Sequence, residues 1–537
     1  MSYRPTLPRR ALMAGAVAAP FLGVATARAQ RQDPRVLRYV PQANLASLDP
    51  VWTTATVTSN HGYYVYDTLF AQDAQGAFQP QMAEGHSVSA DGLTWRITLR
   101  EGLTFHDGTP VRGVDCAASL RRWSARDGLG QVLAGRVAEW AAPEDRVLEI
   151  RLNKPFPLML AALGKAYAGI PFIMPERIAR TDPNTAITEV IGSGPYRFLA
   201  NEYVSGSRVA YQRFEGYRPR AEAPSWGAGG KVAMVDRIEW HIIPDAATAA
   251  AALRTGEVDW WELPQVDLLA ALQRDRNIAV RVIDPTGQLV FMRMNSLSGP
   301  FANKALRQAI QMAVSQPDWL RASAGQEPDA WRECMSLFPC GTAYETKSGP
   351  GLARMQAPRN LDAARAAIRA SGYAGERIVV LNPSDFPLIQ PLGVVTHDLF
   401  RRLGLNSELA ESDWGTVVQR RTNREIPERG GWSAFHTFGA SGLFANPLVN
   451  LLVRGTGERG WPGWYQNAEV EAAVTAWLDA PDEASRRAAA DTAGRIAMDE
   501  VSTLPLGIVF NRTAFRRSMS PPMEGAAPYP WNIRKTV

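Results

Sequence analysis

Short strand patterns and amphipathic helix patterns alternate along almost the whole chain, and that order excludes a sandwich and a helical bundle. Thr94-Trp95-Arg96-Ile97-Thr98-Leu99 switches strictly between polar and apolar, as a half-buried strand does. A tight turn at His106-Asp107-Gly108 follows, and Asp115 is placed to cap a helix carrying Cys116, Leu120 and Trp123 on one face. Val147 to Leu152 reads as a strand, Ala246 to Thr255 as a helix ended by Gly256, and Glu257 to Trp260 as a return to strand. Asn303 to Val314 sets Leu306, Ala309, Ile310, Ala313 and Val314 along one helical face. Asp362 to Ser371 is a helix before the strand Arg377 to Leu381, and Val394 to Leu403 a helix before the strand Leu405 to Leu409. A helical pair over 468–480 and 483–500 precedes a last strand at Leu504 to Phe510. The expected class is α/β. The segments 215–236, 324–360, 425–446 and 454–467, rich in Gly, Pro, Trp or Arg, are expected to be irregular, and irregular stretches of that length in a compact protein are functional or mobile.

The first 29 residues read as an export address. Arg9-Arg10 precedes a small, apolar run from Ala11 to Ala25, and Ala27-Arg28-Ala29 has the form of a cleavage site. The run is short for a spanning helix, and polar Gln30-Arg31-Gln32-Asp33 follow it. The arginine pair with Leu12 resembles a twin-arginine signal, but Pro8 before the pair and the lack of a following Lys depart from that pattern, so the general route stays open. The first cysteine is Cys116, which argues against a lipid anchor. The mature chain is expected to be soluble and periplasmic.

At 537 residues the chain is long enough for two or more domains, and 46% hydrophobic with 21% charged residues excludes a mostly disordered or polytopic membrane protein. The net charge of +5 is concentrated in the leader: without Arg4, Arg9, Arg10 and Arg28, 54 basic residues face 53 acidic ones. No basic stripe is left to neutralise phosphates, and no nucleic-acid partner is expected. Cys334 and Cys340 lie in a Pro/Gly-bounded loop, where an oxidising compartment would let them pair if their Cα atoms come within about 7 Å. Cys116 reads as a buried free thiol. Neither CxxC nor HExxH occurs, so no metal site and no cofactor are expected.

Six motifs then occur in order: Leu48-Asp49-Pro50, Leu93 to Arg100, Phe105-His106-Asp107-Gly108-Thr109-Pro110, Gly192-Ser193-Gly194-Pro195-Tyr196, Gly256-Glu257-Val258-Asp259, and Phe301 through Ala313. Read alone, each is a turn, a strand or core packing; Gly192 to Tyr196 has neither the length nor the Lys of a phosphate loop. Together, and over roughly 35–535, they resemble the extracellular solute-binding proteins of family 5, the peptide, nickel and opine receptors of ABC importers.

That resemblance implies a bilobed periplasmic-binding-protein fold, class II-like, with an extra subdomain on the first lobe and a ligand cleft between the lobes. Residues 1–29 would be the signal peptide; 30–76, 191–288 and 506–537 the first lobe; 77–190 its subdomain; and 289–505 the second lobe. A small-molecule or oligopeptide solute would be enclosed by hinge closure, and the partner would be an inner-membrane ABC permease and ATPase complex, met by a monomeric receptor.

Peptide-binding relatives read a Trp-x-x-Asp motif whose Asp pairs with the ligand's ammonium. Here the matching stretch is Trp432-Ser433-Ala434-Phe435, with Phe435 in place of the carboxylate, and Gly439 to Ala445 lengthen the segment before Asn446-Pro447. An enclosed ammonium without an anion costs on the order of several kcal/mol. The resemblance therefore implies that the usual Asp–ammonium pair is not used, with Asp385 or Glu262 as alternative sources of the anion. Trp52, Thr53 and Thr54 match a ligand-facing loop of relatives, with Asn382, Ser384 and Asp385 as the second-lobe counterpart. Among the sixteen tryptophans, Trp432 reads as cleft wall, Trp261 equally as wall or core, and Trp260 as core, while His436 is a ligand contact or a satisfied histidine.

The rival classes are an exported hydrolase and a solute-sensing or signalling receptor on the same fold. Gly439-Ala440-Ser441-Gly442 lacks the spacing of a nucleophile elbow, and none of the six histidines stands in a nucleophile context. No catalytic residue is expected.

Overall fold

The computed structural model describes residues 33–536 other than 168 and 328, so the expected export signal lies outside the described residues. Two large mixed sheets organise the chain. The first has seven strands in the spatial order Ile278–Val282, Arg512–Arg516, Trp260–Trp261, Val36–Val40, Arg237–His241, Arg208–Arg213, Tyr196–Phe198. The second has six, in the order Trp331–Arg332, Thr503–Val509, Gln288–Met294, Ala434–Ala440, Ile378–Pro383, Ser407–Ser412. A four-stranded antiparallel sheet, Ala83–Val88, Thr94–Leu99, Val147–Leu152, Val137–Glu144, stands apart from both. The chain passes between the two large sheets at 283–287 and again at 510–511. These passages run side by side, and Asn511 Nδ2 donates to Gln288 Oε1 at 2.8 Å beside them.

Several expected elements shift. The strand expected to be last, now Thr503–Val509, is followed by Arg512–Arg516, which crosses to the first sheet. The strand after Gly256 shrinks to Trp260–Trp261, and the Asn303 helix spans Lys304–Gln311, its first turn closed by the Asn303 side chain accepting from Ala305 N. Asp115 caps from inside: it is the third residue of the helix Gly113–Arg126 and accepts from Arg112 N at 2.8 Å. The largest departure is in 425–446, which contains the central strand Ala434–Ala440. Six of its seven residues are buried, so it carries no alternation for sequence reading to find.

The shared motifs turn out to be ties between segments distant in sequence. Asp49 forms a buried ion pair with Arg122 at 2.7 Å and accepts from Val51 N and Ile187 N. His106 Nε2 lies 3.0 Å from the Gly194 carbonyl, and burial pushes its pKa down to about 4. Gly192 lies so close to another chain segment that a Cβ there would meet the Val65 carbonyl oxygen at 2.1 Å. Cys334 and Cys340 are joined as a disulfide with their Cα atoms 5.6 Å apart, and Cys116 is a buried thiol.

Candidate ligand-binding site

A cleft lies between the two large sheets, its empty space of about 650 Å³ open in part to solvent. Its first-sheet wall comes from Gln42 and Ala43, just past Val36–Val40, and from Thr54 to Val57 at the start of the helix Thr56–Val65. The opposite wall is aromatic. Phe291 and Phe438 rise from neighbouring strands, and Phe386, Trp414 and Trp461 come from the surrounding loops and helix. These rings brace one another edge to face: Phe386 on Trp414 at 5.2 Å, Phe435 on Trp461 at 5.3 Å and Phe386 on Phe438 at 5.7 Å between centroids.

Arg421 is the one cation on this lining. It closes the helix Trp414–Arg420, whose start is fixed by Asp413 accepting from Thr416 N and by Asp385 accepting from Trp414 N at 2.8 Å. Its carbonyl accepts from Trp432 Nε1 at 3.0 Å, which ties the backbone to the core. Its guanidinium lies 5.6 Å from the centre of the Trp461 ring, 5.7 Å from Phe435 and 5.8 Å from Trp414. Only 6% of the residue is exposed, and burial lowers its pKa to about 10, with no neighbouring carboxylate to oppose the shift.

Behind the first wall, Glu262 accepts from Gln42 N at 2.7 Å and from Asn60 Nδ2 at 3.0 Å. Burial is the dominant influence and raises its pKa to about 7 despite those hydrogen bonds.

The residues singled out in sequence are spread over these layers. Thr54 borders the cavity, and Phe435 lies fully buried in the ring cluster under Arg421. Trp52 is half-buried with its carbonyl held by Arg126, and Thr53 Oγ1 accepts from Ala55 N. Trp261 is buried in the first sheet, and Trp432 is fully buried. Asn382 is fully buried under Gly393, with both amide atoms lacking a partner among the described residues. Ser384 is exposed and bonds to the Ser412 carbonyl, and Asp385 serves the helix start. His436 is buried with Nε2 2.7 Å from Thr396 Oγ1, and its pKa is pushed down to about 3.

Arg421, Trp414, Phe386 and Phe291 gave no signal in sequence, since an arginine or a ring becomes informative only when its neighbours are known. Trp461 falls in 454–467, one of the irregular stretches expected to be functional or mobile.

A model of the bacterial extracellular solute-binding proteins, family 5, matches residues 77–439. A probable peptide ABC transporter periplasmic-binding protein of Sinorhizobium fredii is 36% identical over 494 residues, covering 92% of each chain. A glutathione-binding protein of Escherichia coli is 24% identical, covering 86% of this chain and 87% of that relative. Among solved structures, the Agrobacterium periplasmic binding protein in complex with agropinic acid superposes with a TM-score of 0.76 at 18% identity, over 94% of this chain and 99% of its own. A Pseudoalteromonas dipeptide-binding protein in complex with Met-Leu gives 0.75 at 18% identity, over 93% and 100%. The fold is the bilobed one of periplasmic binding proteins, and the chain belongs to the bacterial extracellular solute-binding proteins of family 5.

Proposed function

We propose that this protein is the periplasmic solute-binding subunit of an ABC importer, which encloses a small peptide-like or other organic solute between two lobes and delivers it unaltered to the membrane permease. The observation that carries this reading is a cleft walled on one side by the first sheet and on the other by the second, with two adjacent passages joining the sheets among the described residues. Such a connection allows hinge closure. In this reading the lobes are 30–76, 191–288 and 506–537 against 289–505, with 77–190 as a subdomain of the first, and the receptor is a monomer without catalytic activity. The solute is held without the usual Asp–ammonium pair, a reading supported by a cleft lining that contains no carboxylate. Thr54, at the cavity edge, contributes a hydroxyl.

Small-angle scattering in the presence of a low-molecular-mass dialysate of yeast extract tests it. A fall in radius of gyration, with the captured compound recovered chemically intact, is expected. An unchanged radius, or conversion of the compound into product, overturns the proposal.

A further inference from the structure

The first passage between the two large sheets, 283–287, carries a carboxylate. Asp284 opens the turn Asp284-Pro285-Thr286-Gly287. Its Oδ1 accepts from Thr286 N at 2.9 Å and from Thr286 Oγ1 at 2.6 Å, and its carbonyl accepts from Gly287 N at 3.2 Å. The other carboxylate oxygen, Oδ2, is buried and has no partner among the described residues. An ionised carboxylate with one oxygen shut away from water and from donors is costly, whereas the neutral acid needs no counter-charge.

Parts of both bodies close over this turn. Ser441, which follows the strand Ala434–Ala440, donates from N to the Gly287 carbonyl at 3.0 Å and from Oγ to the Thr286 carbonyl at 2.9 Å. The next residue, Gly442, lies under the ring of Tyr167, which comes from the 77–190 segment. Tyr167 and Tyr529 are buried, and the Asp284 carboxylate near them adds to the effect of burial in raising both phenols. Behind them, Tyr63 packs edge to face on Tyr529 with ring centroids 5.1 Å apart, and its hydroxyl donates to the Ala166 carbonyl. No cation joins this group. Arg281, on the strand before the turn, is exposed, and Arg512, which is opposite Val282 in register, is held by Asp329 at 2.5 Å. Burial therefore outweighs the Thr286 hydrogen bonds and raises the Asp284 pKa from 3.8 to about 6.

We infer that Asp284 is a proton-operated element of the hinge: a proton on its carboxyl favours the closed receptor, and loss of that proton loosens closure, so that solute capture follows the acidity of the compartment. This rests on the solute-binding reading above and adds its regulation. Opening of the lobes carries Gly442 away from Tyr167 and admits water to Oδ2, which returns the acid toward its ordinary strength. The closed form thus holds the proton more tightly than the open form. The resulting support for closure is complete below the ordinary value and is lost as pH rises through about 6.

The test measures, by small-angle scattering, the concentration of low-molecular-mass yeast-extract dialysate that half-closes the full mature protein at pH 5 and at pH 7.5. Wild type is compared with Asp284→Asn, and Glu262→Gln with the double variant, because Glu262 also titrates in this range. Comparing proteins at each pH cancels any titration of the solute itself. Asp284→Ser, which keeps an acceptor for Thr286 N, serves as a second neutral variant. From pH 5 to pH 7.5, the half-closing concentration of each protein that keeps Asp284 is expected to rise about tenfold more than that of its counterpart without the acid. Equal pH dependence within both pairs overturns the inference and leaves the receptor reading standing. Loss of closure at both pH values in Asp284→Asn and Asp284→Ser, with wild type still closing, shows that the carboxylate only builds the turn, and also overturns it. Closure by none of the proteins at either pH overturns both readings.

Discussion

Arg136 reaches across from the four-stranded sheet to Asp479, at the end of the helix Ala468–Asp479, with Nη2 2.7 Å from the carboxylate; Lys154 reaches the other oxygen at 2.6 Å. Both cations belong to the 77–190 segment and the acid to 289–505, so the pair exists only while the two are together. Partly exposed ion pairs contribute roughly 0.2–1 kcal/mol each. Asp479→Ala is expected to shift the ligand-free population toward the open form by about fivefold, read as an increased radius in solution scattering. Added salt should open wild type in the same way and leave the variant unchanged. Lys154, followed by Arg136, holds the Asp479 carboxyl below its ordinary 3.8, so this contribution is complete above that value and lost as pH falls through the lower one.

Gly442 tests the same closure by sterics. A Cβ there would meet the Tyr167 ring at 2.2 Å, and Tyr167 belongs to the opposite body. Gly442→Ala is expected to weaken solute-induced closure by tenfold or more while changing the urea unfolding free energy by less than about 1 kcal/mol. A loss of stability without a loss of closure would mean that the ring simply moves aside.

Glu262 predicts a pH dependence. Burial raises its folded pKa to about 7 from an ordinary 4.5, so the protonated form favours the fold. The associated stability is fully present below the ordinary value and is lost as pH rises through the folded one. Glu262→Gln stays neutral throughout, and its amide oxygen can still accept from Gln42 N while its amide nitrogen donates to Asn60 Oδ1 once the Asn60 amide has turned over. The variant is expected to match wild type near pH 4 and to exceed it by roughly 2–3 kcal/mol above pH 8 in urea melts. Parallel pH profiles for the two proteins would disprove the assignment.

Arg122 is the partner of a fully buried carboxylate, since neither it nor Asp49 has more than 3% exposure. Arg122→Met is expected to destabilise the fold by about 3–5 kcal/mol, because Asp49 keeps its backbone donors and loses its counter-charge. Adding Asp49→Asn should recover part of that loss. A double variant as unstable as the single one would locate the cost in the lost bonds to Thr181 and Thr185 instead.

The α/β class and the amphipathic helices were legible because their signals are local. The 468–480 and 483–500 pair was read from its helical pattern, and the structure places it at 468–479 and 483–500, capped by Asn467 and Asp482. Ala434–Ala440 was not legible, since a strand covered on both faces shows no regular alternation of polar and apolar residues. The site was harder still. Phe435 was conspicuous as a substitution within a motif, but what gives it meaning is a cation fourteen positions earlier. One Arg among 58 basic residues does not announce that it lacks a partner. Isolation is a property of three-dimensional surroundings, and it emerges only when every neighbouring acid has been located.

The strand Arg512–Arg516 lies between Ile278–Val282 and Trp260–Trp261, and its contacts reach back more than two hundred and fifty residues, as Trp260 Nε1 to Thr513 Oγ1 does. During synthesis, therefore, that slot stays vacant until residues 512–516 have been made, leaving two unpaired strand edges facing each other. A nascent chain can complete the second sheet no sooner than Thr503–Val509 and the first no sooner than the segment just after it. The two large sheets are thus completed almost together, and a chain interrupted before that point is left with open strand edges that can template aggregation.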